Sequence, residues 1–494
     1  MVQDNTTLME ALETQRTHHS SNTSISHKSD FGQYFTPSGV ALFMASMFPD
    51  VQDSKVKLLD PGAGIGSLSC AFVLNMNQRV QRLNYEIDCY ETDNNVLAKL
   101  TKNLYELSSI TNVKYSIIFE DFIEAAVDRL LQFEKPLYTH VIMNPPYKKI
   151  HSSSTCRKLL RSVDLEIVNL YSAFVSMSLE LLKEDGYLVA IIPRSFCNGT
   201  YYLPFRKHIL SNAVIRRIHL FESRNSIFKN DSVLQENIII LLQKNDIIKQ
   251  VEVSYSKDQA LESVKSIIAD YLDIVDITSR DLIINIPREN VTKPSNVNSD
   301  FKQLGCMVST GPVVDFRSID SISKESPGYA TPLIYPQNIG SFMVHFPSLA
   351  GGQTTIDTNA ITKKMMYKNG YYVVVRRFSS KEEKRRIVAA LYKPDGNSGD
   401  YIAFENHLNV FHNSGQGLEP DIAYGLVAYL NSEGFDEEFR VFSGHTQVNV
   451  SDLKRMKYPK LEQLKELGRR LAKVEFNYQV FEDIVKEVLD HEAK

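Results

Sequence analysis

Asn144-Pro145-Pro146-Tyr147 brings together residue types suited to one uncommon task, the methylation of an amine that is a poor nucleophile. The N6 amine of adenine is such a group, because its lone pair is delocalised into the ring. Two acceptors gripping its hydrogens, the Asn144 side-chain oxygen and the Pro145 carbonyl, would draw the nitrogen toward tetrahedral geometry. Its lone pair would then aim at the methyl group. Pro145 and Pro146 stiffen the loop and hold those acceptors in place. Tyr147 offers a flat face for a base extruded from its stack. With a methyl donor that is already activated, positioning supplies most of the catalysis and no strong base is required. A proline-rich turn with an exposed tyrosine is the plainer reading. The place of the four residues, just after a buried strand and downstream of a glycine loop, favours the chemical one.

That loop is Asp60-Pro61-Gly62-Ala63-Gly64-Ile65-Gly66, between a strand and a helix. Gly62, Gly64 and Gly66 let the backbone turn tightly and approach a ligand at a helix N-terminus. The spacing is G-x-G-x-G rather than the dinucleotide fingerprint, and no Lys-Ser/Thr follows, so it is not a phosphate loop. Glu91-Thr92-Asp93 lies roughly 20-odd residues further on, where a ribose-binding acid is expected. Glu86-Ile87-Asp88 has the same form, but Ile87 and Cys89 still alternate as strand residues, whereas Asp93-Asn94-Asn95 reads as a helix cap. After the next strand come Asp121, able to accept from an adenine amine, and Phe122, able to cover a base. At successive strand ends, Asp60, the three glycines, Glu91, Thr92, Asp121, Phe122 and Asn144 outline a nucleoside pocket.

The elements that must carry these residues alternate in type. Val56–Leu59, Tyr85–Tyr90, Val113–Phe119, His140–Met143 and Tyr187–Ile192 read as buried strands, with helical spacing between them. Val214–Phe221 and Asn237–Leu242 suit a closing antiparallel pair. Strands alternating with helices predict an α/β fold, a Rossmann-like parallel sheet covered on both faces, with seven strands. Residues 1–30 are polar and read as a flexible tail, residues 31–245 as the catalytic domain, and 246–300 as a connecting segment. Residues 301–494 change texture to short β-rich pieces and turns, ending in helical spacing, and predict a second, mixed α+β domain.

Bulk properties exclude several classes. A chain of 494 residues is too long for one compact core. Its 43% hydrophobic and 23% charged content is that of a globular protein. Five cysteines lie far apart with no C-x-x-C pair, against a disulfide framework or zinc site and in keeping with a reducing cytoplasm. No bound metal is expected. No apolar run approaches the ~20 residues of a membrane span, and no signal-peptide pattern begins the chain. A net charge of -4 exerts no global pull on polyanions, so any such binding must be local.

The order of these motifs over Phe31 to about Gln243 resembles the gamma-class N6-adenine DNA methyltransferases of type II restriction–modification systems. The resemblance implies S-adenosylmethionine as cofactor, double-stranded DNA as substrate and, as a partner, a separately encoded endonuclease. It adds Phe31-Gly32-Gln33-Tyr34-Phe35-Thr36-Pro37, similar to the segment that contacts the methionine end of the cofactor, with Tyr34, Thr36 and Pro37 as the matching positions. Ser226-Ile227-Phe228 is similar to the segment whose aromatic stacks on the far face of the flipped base, making Phe228 the counterpart of Tyr147. The loop begins Asp-Pro where many members have Glu-Pro. The C-terminal half is similar to a target-recognition domain chiefly through Ser443–Val450 and Tyr458-Pro459.

Lys148 and Lys149 beside the motif, Arg194 further on, and Arg376 and Arg377 among aromatics are candidates for the DNA backbone. Each could instead belong to a solvated face. N-P-P-Y also serves enzymes that methylate protein glutamine or RNA, and a non-catalytic specificity subunit is a third reading. The large second half and the complete pocket favour DNA methylation over both. No DNA cleavage is expected, because Lys381-Glu382-Glu383-Lys384 has no partner acid.

Overall fold

A computed structural model describes residues 2–22, 35–221, 236–287, 297–323, 330–348, 354–379, 383–394, 399–443, 446–474 and 477–490. The chain forms two compact units, Met1–Pro287 and Arg288–Lys494. No described helix is long and apolar enough to cross a membrane.

In the first unit, strands β1 (Lys55–Asp60), β2 (Asn84–Tyr90), β3 (Val113–Ile118), β4 (Tyr138–Met143) and β5 (Leu182–Pro193) lie parallel in the order β3-β2-β1-β4-β5. Strand β7 (Asn237–Lys244) runs antiparallel to β5, and β6 (Ala213–Phe221) antiparallel to β7. Chain direction across the sheet therefore reverses between β1 and β4. At that switch point the loops leaving the two strands part and open a crevice at their carboxyl ends.

Continuously apolar strands demand cover on both faces. Leu188, Ala190 and Ile192 of β5 pack in one cluster with α5 (Phe122–Leu131), α6 (Leu170–Leu181) and α7 (Leu203–Asn212). The alternate residues Val189 and Ile191 pack in the other, with α2 (Ser38–Ser46), α3 (Ser67–Arg79) and α4 (Asn94–Ile110). Period-two alternation thus sorts one apolar run between two helix layers.

Two sequence expectations need correction. Residues 1–30 are not a tail throughout, since Val2–Asn22 forms helix α1. Leu8, Met9 and Leu12 are buried in the second cluster, a contact that a polar composition conceals. Nor do residues 246–300 only connect. Strands β8 (Gln250–Ser256) and β9 (Lys265–Asp270) extend the sheet beyond β6, so that nine strands are paired among the described residues. Val251, Val253 and Tyr255 of β8 alternate into the core, while β9 is an edge strand with mostly exposed side chains, whose charges resemble those of a loop.

Among its described residues the second unit holds two five-stranded sheets. One orders strands 307–310, 408–412, 372–376, 389–392 and 342–343; the other orders 322–323, 355–357, 330–334, 401–404 and 366–368. Helices Pro420–Leu430 and Leu461–Leu471 bury the leucines that their sequence spaces at helical intervals, including Leu426, Leu430, Leu464 and Leu467.

If α1 is part of the core, Leu12→Ala removes buried methyl groups and leaves a cavity. It should cost about 2–4 kcal/mol in urea unfolding. A solvated tail would leave the midpoint unchanged.

Candidate active site

Beyond Asp60 the chain turns through the three glycines into α3. The Ala63 N–H donates to the Tyr90 carbonyl at 3.0 Å, folding the loop against the end of β2. Gly64 (φ +55°) and Gly66 (φ +85°) occupy the left-handed region that side chains rarely adopt. At Gly64 a Cβ would also stand 2.8 Å from the Phe35 ring. Glu91 then clamps the loop from the next strand. One of its oxygens accepts the Gly64 N–H at 2.7 Å, and the other accepts those of Thr92 and Asp93, both at 2.8 Å. Burial pushes the Glu91 pKa up in spite of these bonds. A carboxylate offers about four lone-pair sites, so three backbone donors leave capacity for a ligand hydroxyl.

Asp60 lies behind this loop, fully buried, and its Oδ2 accepts the Ser69 hydroxyl at 2.7 Å. Burial pushes its pKa up to about 7, and the nearby Glu91 charge adds to the rise. At the end of β3, Asp121 caps α5, its Oδ1 accepting the N–H groups of Ile123 (2.8 Å) and Glu124 (3.1 Å). Phe122 is buried between Tyr90 and Phe174, with ring centroids 5.3 and 5.2 Å away.

The four residues after β4 are held from two sides. Asn144 Nδ2 donates to the Thr36 hydroxyl at 3.1 Å, and the Tyr147 hydroxyl donates to Asn144 Oδ1 at 3.1 Å. The Tyr147 hydroxyl also lies 2.9 Å from the Ile191 carbonyl. A phenol has one proton, so Tyr147 shares it between two acceptors and orients the amide without saturating it. Pro145 is buried, and the chain beyond it is pinned by the Leu170 N–H, which donates to the Lys148 carbonyl at 2.8 Å.

These loops enclose one cleft, open to solvent at its mouth. Thr36, Gly62, Gly64, Glu91, Thr92, Asp121, Phe122, Asn144 and Pro146 line it. Asp60 and Gly66 do not; the first supports Ser69 from behind, and the second caps α3. Pro37 precedes α2 and is also outside the lining. Tyr34 and Phe228 lie outside the described residues. Sequence reasoning passed over Phe35, Tyr90 and Phe174. Phe174 sits on a helix with a continuous apolar face, where periodicity cannot tell a cleft wall from core.

A brace runs from α1 to this site. Ser38 N–H, at the start of α2, donates to Glu13 Oε2 at 2.9 Å, two residues beyond Thr36. Gln15 and the buried Asn103 exchange two amide hydrogen bonds of 3.0 Å, and Asn103 Nδ2 donates to the Ile65 carbonyl of the glycine loop at 2.8 Å.

The basic candidates divide. Lys148 and Lys149 are exposed. Arg194 is withdrawn as a DNA contact, for it is 1% exposed and ion-paired at 3.1 Å with the equally buried Glu236. A buried guanidinium needs such a partner, and sequence alone could not show that Glu236 stands beside it. Arg376 and Arg377 are half-buried, and each donates to a backbone carbonyl, of Ile339 and Asn406 respectively.

Residues 56–228 match a family model described as Eco57I restriction-modification methylase. The chain is 41% identical over 460 residues to the type II methyltransferase M.BsuBI of Bacillus subtilis, covering 91% of each chain. It is 39% identical over 476 residues to the type II methyltransferase M.PstI of Providencia stuartii, covering 94% of this chain and 93% of that one. A solved structure of the type IIL restriction-modification enzyme MmeI with DNA covers 89% of this chain and 71% of its own. At 10% identity and a TM-score of 0.51, that is a likeness of fold.

The Asp60 carboxyl sets a pH dependence. Its folded pKa is about 7 against an ordinary 3.8, so the folded state holds a proton that the unfolded chain has lost. The corresponding stability is greatest below pH 3.8 and is lost as pH rises to about 7, by up to about 1.4 kcal/mol per pH unit. Asp60→Asn removes this term. Its stability relative to the wild type should therefore climb between about pH 4 and 7 and then level off; a constant difference in thermal melts would refute the assignment.

Proposed function

The chain belongs to the type II DNA methyltransferases of restriction–modification systems, and within that family we propose that it methylates the N6 amine of an adenine flipped out of duplex DNA. The reading rests above all on Asn144, held between the Thr36 hydroxyl and Tyr147 at the wall of the cleft. S-adenosylmethionine, when bound, supplies a sulfonium-activated methyl group.

The residues fit that cofactor. Gly64 keeps open a cradle that a Cβ would close, and Glu91 retains acceptor capacity for a ribose hydroxyl. Phe122 would cover the nucleobase and Asp121 would accept from its amine, both residues lining the cleft. Thr36, which lines the cleft, would contact the methionine end of the cofactor, together with Tyr34 and Pro37. Asp60 and Gly66 act from behind the cleft, by fixing the loop.

Asn144 Oδ1 and the Pro145 carbonyl accept the two hydrogens of the target amine, so its lone pair turns out of the ring plane. Tyr147 stacks on one face of the extruded base and Phe228 on the other. No general base is needed before transfer, because the proton leaves from an already cationic amine. In this reading the first unit performs the transfer and the second recognises the target sequence, with Lys148, Lys149, Arg376 and Arg377 on the phosphates. A separately encoded endonuclease is the partner whose site this methylation masks.

Asn144→Ala should lower kcat by about 100-fold or more, since one of two acceptors for the reacting amine is lost. Cofactor affinity by calorimetry should change little. Nucleoside analysis of DNA modified by the wild type should show N6-methyladenine. Finding N4-methylcytosine or 5-methylcytosine in its place would sink the adenine assignment.

A further inference from the structure

In the second unit a tight turn, Glu405-Asn406-His407, joins strands Tyr401–Phe404 and Leu408–His412. Its charges are arranged in an unusual order. Glu405 is buried, with 2% of its side chain exposed, while 55% of the His407 side chain faces solvent. Glu405 Oε1 lies 2.5 Å from His407 Nδ1, and Oε2 accepts the His407 backbone N–H at 2.8 Å. A carboxylate can only accept, so Nδ1 carries the hydrogen and Nε2 is the ring nitrogen directed away from the turn.

The imidazole is held by more than one bond. The Phe378 ring, 44% exposed, lies against it with centroids 5.3 Å apart. Phe378 is fixed in turn by backbone pairing. Arg377 N–H donates to the His407 carbonyl at 2.9 Å, Val448 N–H to the Arg377 carbonyl at 2.8 Å, and Ser379 N–H to the Thr446 carbonyl at 3.1 Å. Arg377 Nη1 donates to the Asn406 carbonyl at 3.1 Å. Three chain segments thus fix a polar aromatic tip at the surface, beside an arginine.

Closing the turn occupies only Oε2, through the His407 N–H; neither the Oε1 bond to the imidazole nor the solvent-facing ring is needed for it. Both are explained if the ring nitrogen must meet a partner in one orientation, since a rigid tip loses little entropy on binding. We propose that His407 is a base-reading residue of this methyltransferase, meeting a base edge of the recognition sequence in the major groove, with Glu405 and Phe378 as its positioning residues. The neutral ring accepts at Nε2 from an exocyclic amine of adenine or cytosine, and the protonated ring donates to guanine. This rests on the reading of the chain as a site-specific DNA methyltransferase.

The test begins with the motif methylated by the wild-type chain, mapped by single-molecule sequencing of DNA from expressing cells. Binding of the full chain to a duplex carrying that motif, and to one with the motif scrambled, is then followed by fluorescence anisotropy over a range of salt. His407→Ala and the more conservative His407→Gln should weaken motif binding by about 10-fold or more. Both should leave the scrambled duplex and the salt slope unchanged. Glu405→Gln should cause a smaller loss of the same kind. The motif methylated by His407→Ala should become degenerate at one position. Equal loss on both duplexes with a shallower salt slope marks a phosphate contact and overturns the proposal. Unchanged discrimination in both His407 variants does the same. Failure of the wild type to methylate DNA would instead strike the enzymatic reading, which is scored before any variant is made.

Discussion

Three backbone N–H groups converge on the Glu91 carboxylate, and the cleft takes its form from that convergence. The bond to Gly64 ties the loop after β1 to the end of β2, so two strand termini that would otherwise fray are held in one geometry. A buried carboxylate is costly unless its lone pairs are met. Backbone amides meet this one and leave the side chain able to accept from a ligand. The same loop must then avoid side chains, which is why Gly64 faces the Phe35 ring at a distance no Cβ could tolerate.

Asn144 depends on that frame through Thr36. Thr36 belongs to the segment leading into α2, and α2 is capped at Ser38 by Glu13 of α1. Asn103 carries the support from α1 to the carbonyl of Ile65. The first helix of the chain therefore braces both the glycine loop and the segment that orients the reacting amide. Such arrangements matter where catalysis is mostly positioning, because a small misplacement costs as much as a lost catalytic group.

Charge is used differently in the two units from what composition leads one to expect. Arg194, Arg206 and Arg386 are each no more than 1% exposed. Arg206 spends its guanidinium on the carbonyls of Phe196, Asn198, Gly199 and Asp281, a task for which its fork of donors is suited. A few cations in this sequence thus serve as internal struts rather than as surface charge. The exposed Lys148 and Lys149 stand apart because the loop bearing them is paired to residues 168–170, which turns them outward.

The order of chemical types along the chain determined much of this by itself. Five apolar strands alternating with helices imply a parallel sheet, and a glycine loop, an acid and Asn-Pro-Pro-Tyr at successive strand ends imply a pocket along its edge. These were legible because local periodicity and turn chemistry are properties of neighbouring residues. Other features depend on residues far apart in the chain, and only the tertiary structure decided them. The polar residues 2–22 became a core helix because three apolar side chains found a groove, and β8 and β9 joined the sheet because β6 offered an edge. Arg194 left the surface because Glu236, 42 positions away, was there to neutralise it. Glu405 could orient His407 only because the folded strands around that turn shield the carboxylate from water, and no spacing in the sequence records that burial.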